Sequence, residues 1–312
     1  MKTPKKAYQV ITTQLGFCVG IVNTYEKMDR LAQKHDSLIA THQHSSFEMD
    51  TLKRIERKDA NLLSLYPNLK KVSVVNDRTQ LQEGNEVVLG FHGLGASEEE
   101  ELKTRGVRLL HNLQCPFISK MNKTAERLVR EGFDLLVMGK KESHHCIEAQ
   151  QWAEKYGKSC IILEQAEEVQ AIPSDPSKKW ALIGQVTGNT DTWASVIERL
   201  AKIPIKIVRT LCSDSFLRQD KARELARQAD VVILVDDGVG TSGAAQSVFE
   251  VCSAIHKRVY KISRKDEIQW KWLENAKTVG VIGGILIPQW TIDEVATYLE
   301  TLAEEQPHGI LS

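Results

Sequence analysis

Three observations on the 312-residue chain predict an α/β fold, a three-lobed pseudo-threefold arrangement of parallel-sheet βαβ units. Short apolar runs alternate with amphipathic helical segments from end to end. Cys18, Cys115 and Cys212 follow one another at intervals of 97 residues. Each of these cysteines also has a strand-like run before it and helical periodicity after it, which a chance spacing of rare residues does not supply.

The first lobe, residues 1–105, opens on the strand-like Ala7-Tyr8-Gln9-Val10-Ile11-Thr12, which leads through Leu15-Gly16-Phe17 to Cys18. From Ile21 to Lys34, apolar side chains at 21, 22, 25, 28, 31 and 32 fall on one face of a helix. Ser37 to Ala40 and Glu86 to Leu89 read as strands, the second entering Gly90-Phe91-His92-Gly93. The second lobe, 106–204, repeats this order: a strand from Gly106 to Leu110, Cys115, a helix from Met121 to Arg130, and strands over Asp134 to Met138 and Trp180 to Ile183. The latter enters Gly184-Gln185-Val186-Thr187-Gly188, and the stretch Ile172-Pro173-Ser174-Asp175-Pro176-Ser177 before it has linker composition. The third lobe, 205–312, has a strand from Ile205 to Val208, Cys212, a helix from Ser215 to Gln228, and strands over Val231 to Val235 and Val279 to Ile282 before Gly283-Gly284.

Composition narrows the function. With 41 basic and 41 acidic side chains, 26% charged and 42% hydrophobic residues, the chain is an ordinary globular protein without the positive field that nucleic acid requires. No apolar run approaches the roughly 18 residues of a membrane span, and the basic Met1-Lys2-Thr3-Pro4-Lys5-Lys6 is not followed by a signal-peptide core. A cytoplasmic location is expected, with neither nucleic acid nor membrane as partner and with the six cysteines reduced.

Ligands of open α/β sheets sit beyond the carboxyl ends of the strands, where all three periodic cysteines stand at the start of a helix. A helix N-terminus favours thiolate over thiol, and thiolate binds metal. Three lobes around a pseudo-threefold axis bring three sulfurs to one point, which suits zinc or an iron–sulfur cluster. Structural zinc takes four ligands from close pairs such as CxxC, absent here, so a cubane held by Cys18, Cys115 and Cys212 with its fourth iron open fits better. The alternative is three separately buried structural cysteines. Cys160 and Cys252 read as core packing, whereas Cys146 lies in the polar loop Ser143-His144-His145-Cys146. His42, His92 and His144 each follow a strand, at the end of the sheet where the cysteines lie, where imidazoles bind anions or relay protons. Thr187, Thr241 and Ser242 offer hydroxyls from equivalent loops.

Gly16-Phe17-Cys18-Val19-Gly20, Thr41-His42, Phe91-His92-Gly93, Cys115-Pro116 and Gly139 through His144 resemble, in order and spacing, elements of the hydroxymethylbutenyl diphosphate reductases, the IspH or LytB family of isoprenoid biosynthesis. The resemblance covers nearly the whole chain. It implies a [4Fe-4S] cluster on Cys18, Cys115 and Cys212 at the centre of the three lobes, with His42, His92 and His144 facing the substrate. It also implies reductive loss of an allylic hydroxyl bound at the open iron, with ferredoxin or flavodoxin supplying electrons. Four positions depart from the pattern. Cys146 stands where the family has a glutamate on its proton path, and Gln185-Val186-Thr187 lacks the first hydroxyl of a threonine pair. Thr241-Ser242-Gly243 stands where the family has Ser-Ser-Asn, and Leu286 replaces a serine. Two lost hydrogen bonds to a charged ligand, at about 1.5 to 3 kcal/mol each, weaken diphosphate binding on the order of a hundredfold and favour a smaller anion. The expected function is removal of a hydroxyl or similar leaving group from a small anionic substrate, with His144, Cys146 and Thr187 as catalytic residues and His42, His92, His144, Thr241 and Ser242 binding substrate. A non-redox Lewis-acid dehydratase, hydratase or desulfurase is the alternative, and a non-catalytic cluster sensor or scaffold is the second.

Overall fold

The structure is a computed structural model that describes residues 7–41, 48–91, 93–94, 96–175, 177–236 and 244–305. It divides into two compact units, residues 19–123 and residues 1–18 with 124–312. In chain order the first elements are β1 (Gln9–Thr12), α1 (Val19–Lys34), β2 (Leu38–Thr41), α2 (Glu48–Glu56), α3 (Ala60–Leu65), β3 (Val72–Val75), β4 (Glu86–Leu89), α4 (Ala96–Thr104) and β5 (Arg108–Asn112). Then come α5 (Pro116–Arg130), β6 (Asp134–Met138), α6 (His144–Lys155), β7 (Cys160–Leu163), β8 (Trp180–Gly184), α7 (Thr190–Leu200) and β9 (Lys206–Ile207). The last third comprises α8 (Ser213–Gln228), β10 (Val231–Val235), α9 (Ala244–Ile255), β11 (Val259–Ile262), α10 (Trp270–Leu273), β12 (Thr278–Gly283) and α11 (Gln289–Glu305).

Among the described residues, twelve strands form three four-stranded parallel sheets, as the alternation of strands and helices requires. Their orders are β3-β2-β4-β5, β7-β6-β8-β9 and β11-β10-β12-β1. The first lies in the unit of residues 19–123 and the other two lie in the second unit. Burial on both faces explains the continuous apolar runs. Val231, Ile233 and Val235 of β10 pack with Ile292, Val295 and Leu299 of α11, while Val232 and Leu234 point the opposite way, into a core with Ala222 and Leu225 of α8 and Val248 of α9.

The sheets do not follow the boundaries expected at 105 and 204. Each takes as its fourth strand the one that precedes the next cysteine, so β5 closes the first sheet and β9 the second. The N-terminal β1 pairs with β12 and completes the C-terminal sheet. A strand that leads into a crossover helix belongs to the sheet it leaves, which places each division at a cysteine rather than about ten residues before it.

Candidate active site

Cys18, Cys115 and Cys212 each stand immediately before a helix, α1, α5 and α8 respectively. All three are buried, at 6%, 4% and 9% exposure. Each backbone N–H donates to a carbonyl two residues past the end of the strand that pairs, in the same sheet, with the strand before that cysteine: Cys18 to Ile285 at 3.0 Å, Cys115 to Phe91 at 2.8 Å and Cys212 to Val186 at 2.8 Å. The strands concerned, β12, β4 and β8, occupy the same place in their sheets. The periodicity of the sequence is therefore a periodicity of hydrogen bonding, and Val186, which brings no hydroxyl, contributes its carbonyl.

Local packing fixes each cysteine. Gly16 adopts the left-handed region (φ +44°) in the turn before Cys18, where its N–H donates to Gln289 Oε1 at 3.1 Å. The Phe17 ring meets Trp290 edge-on at 5.5 Å. Beside Cys115, Gly20 permits close packing: a Cβ there would lie 3.0 Å from the sulfur and 2.7 Å from the Phe91 ring. Soft sulfurs at helix N-termini suit an iron–sulfur group. Among the described residues, no three His, Cys, Asp or Glu side chains within reach of one another form a group that could hold a metal ion. Cys18 and Cys212 belong to one unit and Cys115 to the other.

The remaining cysteines are different. Burial pushes the thiols of Cys146, Cys160 and Cys252 up to about 12, with Cys160 adding to the effect at Cys146. Cys146, expected to act catalytically, has no exposed surface and packs against Gly139, where a Cβ would meet its sulfur at 2.7 Å and Gln185 at 2.6 Å. It keeps its proton at neutral pH and is a weaker acid than an ordinary thiol.

His144 opens α6, with its Nε2 3.2 Å from the Glu148 carboxylate one turn along. The sequence reading missed Glu148, although the i,i+4 spacing of His144 and Glu148 was the available signal. Its neighbour His145 is buried, and desolvation lowers its pKa to about 4, so it is neutral. Thr187 is 9% exposed, and its hydroxyl accepts from Gln185 Nε2 at 3.1 Å while its carbonyl accepts from Ser247 Oγ at 2.6 Å. Gln185 Oε1 in turn accepts the Lys140 N–H at 2.8 Å, linking the loops after β6 and β8. His42, His92, Thr241 and Ser242 lie outside the described residues. A small cavity of about 20 Å³ beside these loops is lined by Lys140, Gln185, Asn189, Gln246 and Glu250, but Lys140, Asn189 and Gln246 already bond the Glu250 carboxylate.

Two polar residues of α8 also went unread. Arg218, 1% exposed, donates from Nε to Asp214 at 2.8 Å and from Nη2 to the carbonyls of Leu15 and Gly16 at 3.0 and 2.8 Å. Gln219, fully buried, accepts from the Thr190 N–H at 2.9 Å and donates to Gly188 O at 3.0 Å.

The LytB protein family model matches residues 10–300. The chain belongs to the LytB family. A relative from Clostridioides difficile (strain 630), named 4-hydroxy-3-methylbut-2-enyl diphosphate reductase, is 27% identical over 94% of this chain and 99% of its own length. A solved structure of (E)-4-hydroxy-3-methyl-but-2-enyl diphosphate reductase matches with TM-score 0.55 at 22% identity, covering 94% of this chain and 99% of that one. The corresponding reductase structure from Plasmodium falciparum matches with TM-score 0.74 at 16% identity, covering 95% and 88%. The family and the fold expected from the motifs are thus established, and the LytB relatives are oxidoreductases by name. No helix among the described residues is long and apolar enough to cross a membrane.

Proposed function

We propose that the chain is an iron–sulfur reductase that removes the hydroxyl group of a small anionic allylic alcohol, the class of substrate to which its relatives' name refers. The observation that carries this reading is the thrice-repeated placement of a buried cysteine before a helix, its N–H bound to the carbonyl two residues past an equivalent strand. Cys18, Cys115 and Cys212 would hold a [4Fe-4S] cluster, and the electrons would come from a ferredoxin or flavodoxin. When bound, the cluster supplies single-electron transfer and an open Lewis-acidic iron. The overall change consumes two electrons and two protons, breaks the C–O bond, forms a C–H bond and releases water.

The chain's own residues bind, orient and deliver protons. His144, with the Glu148 carboxylate beside Nε2, would hold a proton near the leaving hydroxyl. Thr187 accepts from Gln185 and would donate its own hydroxyl hydrogen to the substrate. His42, His92, Thr241 and Ser242 would bind the anion. Leu286, at the position where the resemblance has a serine, offers no hydroxyl to a diphosphate, which favours a smaller anion.

The test is a Mössbauer spectrum of the anaerobically reconstituted protein with and without 4-hydroxy-3-methylbut-2-enyl diphosphate and smaller carboxylate analogues. One iron site distinct from three others, shifting on ligand addition, is expected. Iron that never binds, or four equivalent sites, overturns the reading. Turnover without an electron donor would transfer the assignment to Lewis-acid chemistry.

A further inference from the structure

The residue six places after one cysteine bonds the carbonyl two places before the next, and this happens twice. Thr24, six after Cys18, has its Oγ1 3.2 Å from the carbonyl of Leu113, two before Cys115. Arg218, six after Cys212, donates to the carbonyl of Gly16, two before Cys18, at 2.8 Å. Each contact lies within a single unit. Met121 occupies the third such position and cannot donate, while Thr210, two before Cys212, bonds Gly184 of its own sheet through its hydroxyl instead. Chemically unrelated side chains, a hydroxyl and a guanidinium, meet equivalent carbonyls, so these contacts mark a position in the repeat with a common task.

We infer that Arg218 and Thr24 are positioning residues that latch the loops carrying Cys18 and Cys115, and so fix where those sulfurs point. The Arg218 latch is the stronger. Its Nη2 bonds two successive carbonyls while Nε bonds Asp214, which neutralises it from the preceding turn of α8, and its Nη1 has no hydrogen-bond partner among the described residues. A buried cation with an unmet donor is a poor source of stability, which argues that registry is its contribution. Thr24 divides one proton between Leu113 and Gly20, its own i−4 carbonyl at 3.0 Å, and holds less firmly. The purpose given to the latches rests on the proposed cluster; their geometry does not.

The experiment measures iodoacetamide alkylation of each cysteine by peptide mass spectrometry, in the full chain stripped of iron under anaerobic conditions. Arg218→Met is expected to speed alkylation of Cys18 about tenfold or more and to leave Cys115 within about twofold of the parent, since charge-assisted hydrogen bonds restrain local opening. Thr24→Val should reverse the pattern, with Cys115 faster by about threefold and Cys18 unchanged. Arg218→Lys, which keeps the charge but not the fork, should fall between parent and Arg218→Met. Acceleration of all six cysteines together, or of neither target, overturns the inference. In reconstituted protein, Arg218→Met should also shift the electron paramagnetic resonance of the reduced cluster, and an unchanged signal overturns the latch. If the parent binds no iron yet Cys18 and Cys115 still respond selectively, the latch stands and the cluster reading falls.

Discussion

Helices α5 and α8 begin immediately after equivalent cysteines, yet their first two turns are built from opposite materials. In α5 the inward positions three and six residues after Cys115 are Ile118 and Met121. In α8 the same positions are Ser215 and Arg218, followed by Gln219. Further along, both helices bury the same kind of surface, Ala125, Leu128 and Val129 in one and Ala222, Leu225 and Ala226 in the other. The apolar half anchors each helix to its core, with burial of a side chain like Met121 contributing about 2 kcal/mol. The polar half of α8 gives up that contribution and gains hydrogen bonds to the loops at Leu15–Gly16 and Gly188–Thr190. Stability and registry are supplied by different turns of one helix.

Asp214→Ala tests the contrast most severely, because it leaves the Arg218 guanidinium buried without its counter-charge. Stability should fall by about 3 to 5 kcal/mol, read from the urea midpoint, and a loss below about 1 kcal/mol would show that water already solvates the pair. Acid titration extends the contrast to α6. His145 is held neutral with a pKa lowered to about 4, against an ordinary value near 6.5, so the unfolded chain takes up its proton first. The stabilisation is complete above about pH 6.5 and is lost as pH falls toward 4, amounting to roughly 3 kcal/mol. His145→Asn should flatten that slope in urea melts across the same range, and an unaltered slope would assign the acid sensitivity to other groups.

Gln219→Leu should cost about 2 kcal/mol, since it leaves the Thr190 N–H and Gly188 carbonyl without their partner in a dry site. Melting temperature measures it, and Met121→Ala, a comparable core lesion without broken loop contacts, is the control. The smallest effect is expected from Cys146→Ser. Iron and sulfide content after reconstitution should match the parent, with a stability loss of about 1 kcal/mol. Iron loss equal to that of Cys18→Ser would make Cys146 a ligand.

The repeat, the central strands and the three cysteines were legible because buried parallel strands spell continuous apolar runs, as Val231 to Val235 does. Edge strands β3, β7 and β11 were missed, for they are four residues long and half-exposed. Sheet membership was misplaced because pairing partners leave no mark on a strand such as Lys206–Ile207. Arg218 was passed over for a different reason. An acidic residue four places before an arginine describes an exposed ion pair as well as a buried one, and only packing distinguishes Asp214–Arg218 from the solvated Glu26–Arg30. Thr187 and His144 were singled out by their place after strands; Glu148 was within reach of the i,i+4 rule on α6, whereas the Gln185 bridge emerges only when the loops after β6 and β8 are folded together.

The pairing of β1 with β12 sets a timetable for biosynthesis. Tyr8 donates its hydroxyl proton to the carbonyl of Leu299, 291 residues away, and the carbonyl that receives the Cys18 N–H belongs to Ile285. A chain still being synthesised can finish the two earlier sheets, but the N-terminal strand waits unpaired until β12 has been made. Cys18 is thus the first of the three to be synthesised and the last to be seated, because the carbonyl that holds its loop arrives only with Ile285.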